Sequence, residues 1–352
     1  MMERTKRPTG PISRQMKNKI ASDKEEVFTE YDGNFYNTVS TGSTLLDLAI
    51  SGGRVRGGGL PAGILVEIFG PSGSGKTVLL SSIAGCIQEK GGLVKFHDPE
   101  ARINPTFSKM FGMKLEDGDY YRPDTVPEVF KTVREWKPPQ KGKIHGIMAD
   151  SLAALSTDME MGKDDGDKMG MRRAKEFSEE LRKTCRILAQ NNFLMVCSNQ
   201  VRINVDGGQW SPKYTTPGGE SVGFYSSLRL KTNVLKKIVK EVTFRGKEIS
   251  RVVGVEVEIE VFKSSIDRPY RKAPLTIIFD YGIDDIRQNL QFLKTYGKSK
   301  TYILGDRSLD MSMDKSIAII EEENLTERLR QEVILLWNKI ELQFKSNRRP
   351  RR

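Results

Sequence analysis

One octapeptide limits the fold of this chain more than any other stretch: Gly70-Pro71-Ser72-Gly73-Ser74-Gly75-Lys76-Thr77. An apolar run, Ile64-Leu65-Val66-Glu67-Ile68-Phe69, precedes it and reads as a strand. Residues 78–88 follow and read as a helix. Strand, glycine-rich turn and helix form the context that the pattern G-x-x-x-x-G-K-[ST] requires. The residue types follow from the anion they would hold. Glycines let the backbone wrap phosphates with its N–H groups inward. A helix N-terminus adds positive potential. Lys76 can reach the β- and γ-phosphates of ATP, and the Thr77 hydroxyl can ligate Mg²⁺. A chance glycine-rich turn would not carry both flanks.

The flanking pattern continues along the chain. Residues 93–96, 146–149 and 193–198 read as strands, and residues 129–136 and 172–191 as helices. This alternation predicts an α/β fold with a mostly parallel twisted sheet and helices on both faces. From 227 to 280 the pattern changes to consecutive strands at 228–234, 252–262 and 275–279. Hairpin-like turns at Arg245-Gly246-Lys247 and around Pro269 separate them. After Gly282 the chain reads as helical and ends in Asn347-Arg348-Arg349-Pro350-Arg351-Arg352. The expected organisation is a polar, basic N-terminal segment (1–38, with a short helix at 13–21), a core (39–285) and a small helical region with a basic tail (286–352).

Bulk properties bound the function. The 352 residues suffice for one large domain with appendages. No apolar run approaches the roughly 20 residues that cross a bilayer, and no apolar leader follows Met1, so a membrane partner is not expected. Cys86, Cys185 and Cys197 are widely spaced, which suits a reducing cytoplasm and not a metal cluster. A formal net charge of +11 favours a polyanionic partner.

Three further positions fit nucleotide chemistry. A phosphate loop needs an acid at the end of a neighbouring strand to hold the metal's water shell. Asp150, after Ile147-Met148-Ala149, supplies one. Hydrolysis needs a group that orients and deprotonates water. Glu100 in His97-Asp98-Pro99-Glu100 is one candidate, and Asp98 is its rival on spacing. Asn199-Gln200 ends another buried strand and could sense the γ-phosphate.

At these residues the chain resembles a known family. Val39-Ser40-Thr41-Gly42-Ser43, Gly59-Leu60-Pro61-Ala62-Gly63, the octapeptide, and Asp150-Ser151-Leu152-Ala153-Ala154-Leu155 are similar to successive RecA motifs. Asn199-Gln200-Val201-Arg202, Thr215-Thr216-Pro217-Gly218-Gly219 and Phe224-Tyr225-Ser226-Ser227-Leu228-Arg229-Leu230 continue them in family order. The resemblance covers roughly 39–285. It implies a RecA-like ATPase core that filaments on single-stranded DNA and pairs it with homologous duplex DNA. The N-terminal segment would be a polymerisation arm. By position, Glu100 resembles the family's catalytic glutamate, and Gln200 the residue that couples the γ-phosphate to DNA. Asn104 and Phe107 would hold adenine.

Two loops would meet DNA. The first spans 160–173, and Lys175, Ser178 and Arg182 follow on one helix face. The second runs from Arg202 to Gly219. Arg202 can meet phosphate, and Gly218 and Gly219 allow close backbone approach. Trp210, in a glycine-flanked polar stretch, either stacks on bases or folds back onto the core. Two departures stand out. The family often has two lysines, two residues apart, that reach a neighbour's ATP; here Lys263 matches the first, while Ser265 takes the second place and Arg268 lies nearby. The arginine-rich C-terminus stands where cellular relatives tend to be acidic. A hexameric helicase-like motor on the same fold and an ATP-dependent assembly module without strand exchange are the rival readings.

Overall fold

The computed structural model describes residues 37–156, 169–203, 214–217, 219–297, 300–346 and 348. The expected short helix at 13–21 therefore lies outside the described residues. A nine-stranded sheet organises the rest. Its strands are β1 (Ile64–Gly70), β2 (Val94–His97), β3 (Tyr120–Tyr121), β4 (His145–Ala149), β5 (Phe193–Gln200), β6 (Leu228–Phe244), β7 (Lys247–Ser264), β8 (Lys272–Ile278) and β9 (Gly282–Ile283). They lie in the order β9-β8-β7-β6-β1-β5-β4-β2-β3. Every pairing from β6 across to β3 is parallel. The pairings from β6 out to β9 are antiparallel.

The central strands are buried on both faces, so they read as unbroken apolar runs and not as alternating ones. On β5, Phe193, Met195 and Cys197 enter one core with Leu65, Ile147 and Ala149. That face is covered by α4 (Val126–Glu135), α5 (Met169–Gln190) and α6 (Gly219–Tyr225), which contribute Phe130, Phe177, Leu181 and Val222; they follow α1 (Thr44–Ser51), α2 (Lys76–Glu89) and α3 (Pro105–Met110) in the chain. α2 covers the other face through Leu79, Leu80, Ile83 and Ile87. A Cβ on Gly146 of β4 would lie 2.7 Å from Ile87 Cδ1, a measure of how closely α2 approaches the sheet.

The C-terminal region consists of α7 (Asp285–Gly297), α8 (Met313–Glu322) and α9 (Thr326–Gln343), with a small ribbon that pairs Ile303–Leu304 with Arg307–Ser308. It is anchored to the core by buried polar contacts. Asp285 accepts from the Thr44 amide and hydroxyl, both at 2.7 Å. Arg271 pairs with Asp267 and with Glu341 of α9, and its guanidinium lies 5.1 Å from the Trp337 ring centre.

Three expectations are corrected. β6 and β7 are much longer than 228–234 and 252–262. They continue as a ribbon paired only with itself, where solvent-facing residues thin out the apolar signal that marked the strands. The stretch 160–173 is not all loop, because α5 already begins at Met169, one helical turn before Arg173. The region after Gly282 carries the small ribbon as well as helices.

Candidate nucleotide site and nucleic-acid interface

The octapeptide joins β1 to α2 at the end of the parallel strands. Gly73 and Gly75 adopt φ of 71° and 79°, conformations that side chains with a Cβ rarely take. A Cβ on Gly70 would lie 2.4 Å from the Thr232 carbonyl oxygen, so that position admits only glycine. At Gly73 nothing lies within 4 Å of the added Cβ, which leaves that part of the turn open. Ser74 closes the loop, with its hydroxyl 2.7 Å from the Pro71 carbonyl and 2.6 Å from the Thr232 hydroxyl. Thr232 lies on β6, and nothing in the local sequence pointed to it. Lys76 donates to the carbonyls of Gly70 (3.0 Å) and Pro71 (2.7 Å). Its ammonium is lowered by partial burial, while the charges of Asp150 and Glu100 act against that shift. Lys76, Asp150 and Glu100 are thus brought into one electrostatic neighbourhood from three separate chain segments.

The carboxylates differ in what they can do. Asp98 is buried and accepts from the Ile103 amide (2.9 Å) and the Tyr120 hydroxyl (2.8 Å), so both its strand end and the turn after it depend on it. Glu100 keeps a partly exposed carboxylate, paired 2.7 Å from the exposed Arg102. Asp150 is buried and accepts from the Ser198 hydroxyl on β5. Asn104 caps α3 by accepting from the Phe107 amide at 2.8 Å, and the Phe107 ring sits 5.0 Å from Phe111. The donor set fits a magnesium nucleotide: a glycine turn at a helix N-terminus, a lysine, the Thr77 hydroxyl and the buried Asp150 carboxylate.

Gln200 is exposed at the end of β5, in register with Gly70. The residue before it carries a buried network. Asn199 donates to Glu67 and to the Pro217 carbonyl, both at 3.0 Å, and its Oδ1 accepts from the Gln200 amide. Glu67 is fully buried and pairs with Arg229 at 2.6 Å. Arg229 lies 4.5 Å from the centre of the Phe69 ring. The signal for this network was present: a glutamate inside an apolar strand run has to find a partner.

The whole-chain comparisons are decisive for the family. The model of the RecA N-terminal domain matches residues 26–284. The chain belongs to the RecA family. It is 32% identical over 303 residues to Protein RecA of Thermus thermophilus, covering 85% of each chain. Against Protein RecA of Borrelia hermsii it is 31% identical over 306 residues, which is 86% of this chain and 82% of that one. Protein RecA of Borreliella burgdorferi is 30% identical over 312 residues. As a RecA-family chain it is an ATP-dependent recombinase of DNA recombination and repair.

The positions expected to meet DNA fall on two supports. Lys175 and Arg182 are exposed on α5 and Ser178 is half-buried between them, consistent with one helix face. The root of the second loop is a short ribbon pairing Arg202–Ile203 with Tyr214–Thr215. Trp210 and Gly218 lie outside the described residues, and Gly219 opens α6. Lys263 on β7 donates to the carbonyls of Gly223 (2.9 Å) and Phe224 (2.8 Å) at the end of α6, where cations suit the helix terminus. Ser265 bonds through its amide to the Ser227 carbonyl, and Arg268 is exposed. All three cysteines are free; Cys197 is buried, and burial pushes the Cys86 thiol up to about 12. Among the described residues no helix is long and apolar enough to cross a membrane.

Proposed function

We propose that this RecA-family chain binds ATP at Gly70–Thr77, hydrolyses it in response to DNA, and assembles on single-stranded DNA into a helical filament that pairs that strand with a homologous duplex, in the cytoplasm. The observation that carries the reading is that the segments following the parallel strands β1, β4 and β2 bring Lys76 under the charges of Asp150 and Glu100. The loop amides and Lys76 hold and neutralise the phosphates. Thr77 and Asp150 are the groups that would hold Mg²⁺, whose charge supports the phosphate oxygens as the terminal bond breaks. Glu100 orients the attacking water and accepts its proton. Asn104 and Phe107 flank the base.

Gln200 transmits phosphate state to the DNA loop, because its neighbour Asn199 is bonded to the root of that loop at Pro217. Lys175, Ser178, Arg182, Arg202, Gly218 and Gly219 contact the DNA backbone, and Trp210 stacks on its bases. Residues 1–38 form the arm that joins protomers, and Lys263 reaches the nucleotide of a neighbouring subunit. The test is joint-molecule formation between circular single-stranded DNA and a homologous linear duplex. The wild-type chain should form joint molecules only with ATP, and Lys76→Ala should form none. Unwinding of a tailed duplex without any pairing would contradict the proposal and favour the helicase-like alternative.

A further inference from the structure

The part of the molecule that no nucleotide or loop function uses is the outer half of the β6–β7 hairpin. β1 pairs with β6 only at residues 228–231, and β8 pairs with β7 only at 254–260. Beyond these, residues 239–252 pair with each other alone. The ribbon therefore projects about 20 Å past the sheet, at about 3.3 Å per residue. Its two faces differ in chemistry. Past the irregularity at Ile238, the cross-strand pairs Lys240–Arg251, Val242–Ile249 and Phe244–Lys247 alternate with Val239–Val252, Glu241–Ser250 and Thr243–Glu248. One face thus carries Lys240, Lys247 and Arg251 without an acid, and the opposite face carries Glu241 and Glu248 without a cation. All three cations are exposed, and none is in an ion pair with a described residue. Between them stand Val242 (51% exposed), Ile249 (40%) and Phe244 (59%). Arg245 lies over the Phe244 ring at 5.3 Å and extends the cationic tip.

We infer that this face is a second nucleic-acid element, which docks into a groove of duplex DNA. Its chemistry selects a polyanion. The same face of a second copy, equally cationic, is electrostatically the wrong partner for it. Its shape selects a duplex, because the major groove admits a two-stranded ribbon. Lys240, Lys247 and Arg251 meet phosphates at the groove walls, and Val242, Ile249 and Phe244 supply apolar contact within it. The inference rests on the DNA-binding reading above, but it uses none of the residues assigned to the single strand.

The experiment is fluorescence anisotropy of the full-length chain with a labelled 30-base-pair duplex and, separately, a labelled single strand, over a range of salt concentrations. The triple variant Lys240→Ala/Lys247→Ala/Arg251→Ala should bind the duplex at least about tenfold more weakly, with a salt slope shallower by about 2–3, since each phosphate contact contributes about 0.9. Its affinity for the single strand and its DNA-stimulated ATPase should stay within about twofold of wild type. Phe244→Ala should weaken duplex binding severalfold and leave the slope unchanged. Unchanged duplex affinity and slope in the triple variant would overturn the inference. So would a change confined to the sedimentation of the DNA-free protein, which would make the ribbon a contact between copies. Failure of the wild type to bind either DNA would instead count against the broader function.

Discussion

At the scale of single residues, the proposed hydrolysis turns on which acid acts as base. Sequence spacing left Asp98 and Glu100 as rivals, because both follow the same strand. Their surroundings separate them: Asp98 is spent on the Ile103 amide and the Tyr120 hydroxyl, while Glu100 keeps a carboxylate free of the backbone. Glu100→Gln should lower turnover about 10²-fold or more, leave ATP binding intact and lengthen filament lifetime on DNA. Asp98→Asn should lower the thermal midpoint, because the turn after β2 loses a charged acceptor. Equal losses of turnover per folded site in both variants would return Asp98 to candidacy.

His97, beside them, is a structural group with a measurable signature. Both ring nitrogens are buried without a partner, the ring stacks on Tyr121 at 5.0 Å, and burial holds its pKa down to about 4. An unfolded histidine titrates near 6.5, so between the two values the unfolded chain takes a proton that the folded chain refuses. The contribution of His97 to stability is complete above about 6.5 and falls as the pH drops towards 4, by about 3 kcal/mol in all. Asp47, raised to about 6 by burial, has the opposite slope: its stability contribution falls as the pH rises through that range. The clean readout is therefore the difference in urea midpoint between wild type and His97→Leu at pH 7, 6 and 5. That difference should shift steadily against the wild type as pH falls; parallel curves would show that His97 is not the titrating group.

At the scale of elements, the phosphate loop, its two flanks and most central strands were legible, because two-sided burial forces apolar runs and the loop's chemistry forces glycines. Contacts made across distance were not legible. Thr232 meets Ser74 only because β6 lies beside β1, and Arg229 meets Glu67 for the same reason. The outer ribbon was not legible because, in solvent on both faces, its apolar residues Val242, Phe244 and Ile249 are broken up by charged ones. The second DNA loop keeps one element-scale question open to measurement. Trp136 stacks on Phe193 at 5.2 Å and Trp337 is buried against Arg271, so both indoles belong to the fold and can be replaced by phenylalanine. In that background Trp210 emission should be quenched by single-stranded DNA with a non-hydrolysable ATP analogue, and Trp210→Ala should weaken DNA binding by about 1–3 kcal/mol. An unchanged spectrum and affinity would assign Trp210 to the core.

At the scale of the whole molecule, the claim is that the nucleotide site is completed between subunits. Lys263 is held at the end of α6, where partial burial and the nearby Arg229 lower its ammonium. Lys263→Ala subunits lack the donated cation, and Lys76→Ala subunits lack their own phosphate lysine. Mixed, they should recover DNA-dependent hydrolysis that neither shows alone, because a subunit with intact Lys76 receives Lys263 from its neighbour. No recovery at any ratio in co-assembled mixtures would argue for a site complete within one chain. The most direct test of the account joins one rate to one image: ATP turnover with and without single-stranded DNA, on samples imaged at the same time by negative-stain electron microscopy. Turnover should rise with DNA in samples that show open helical filaments under ATP. Closed rings, or turnover indifferent to DNA, would contradict it.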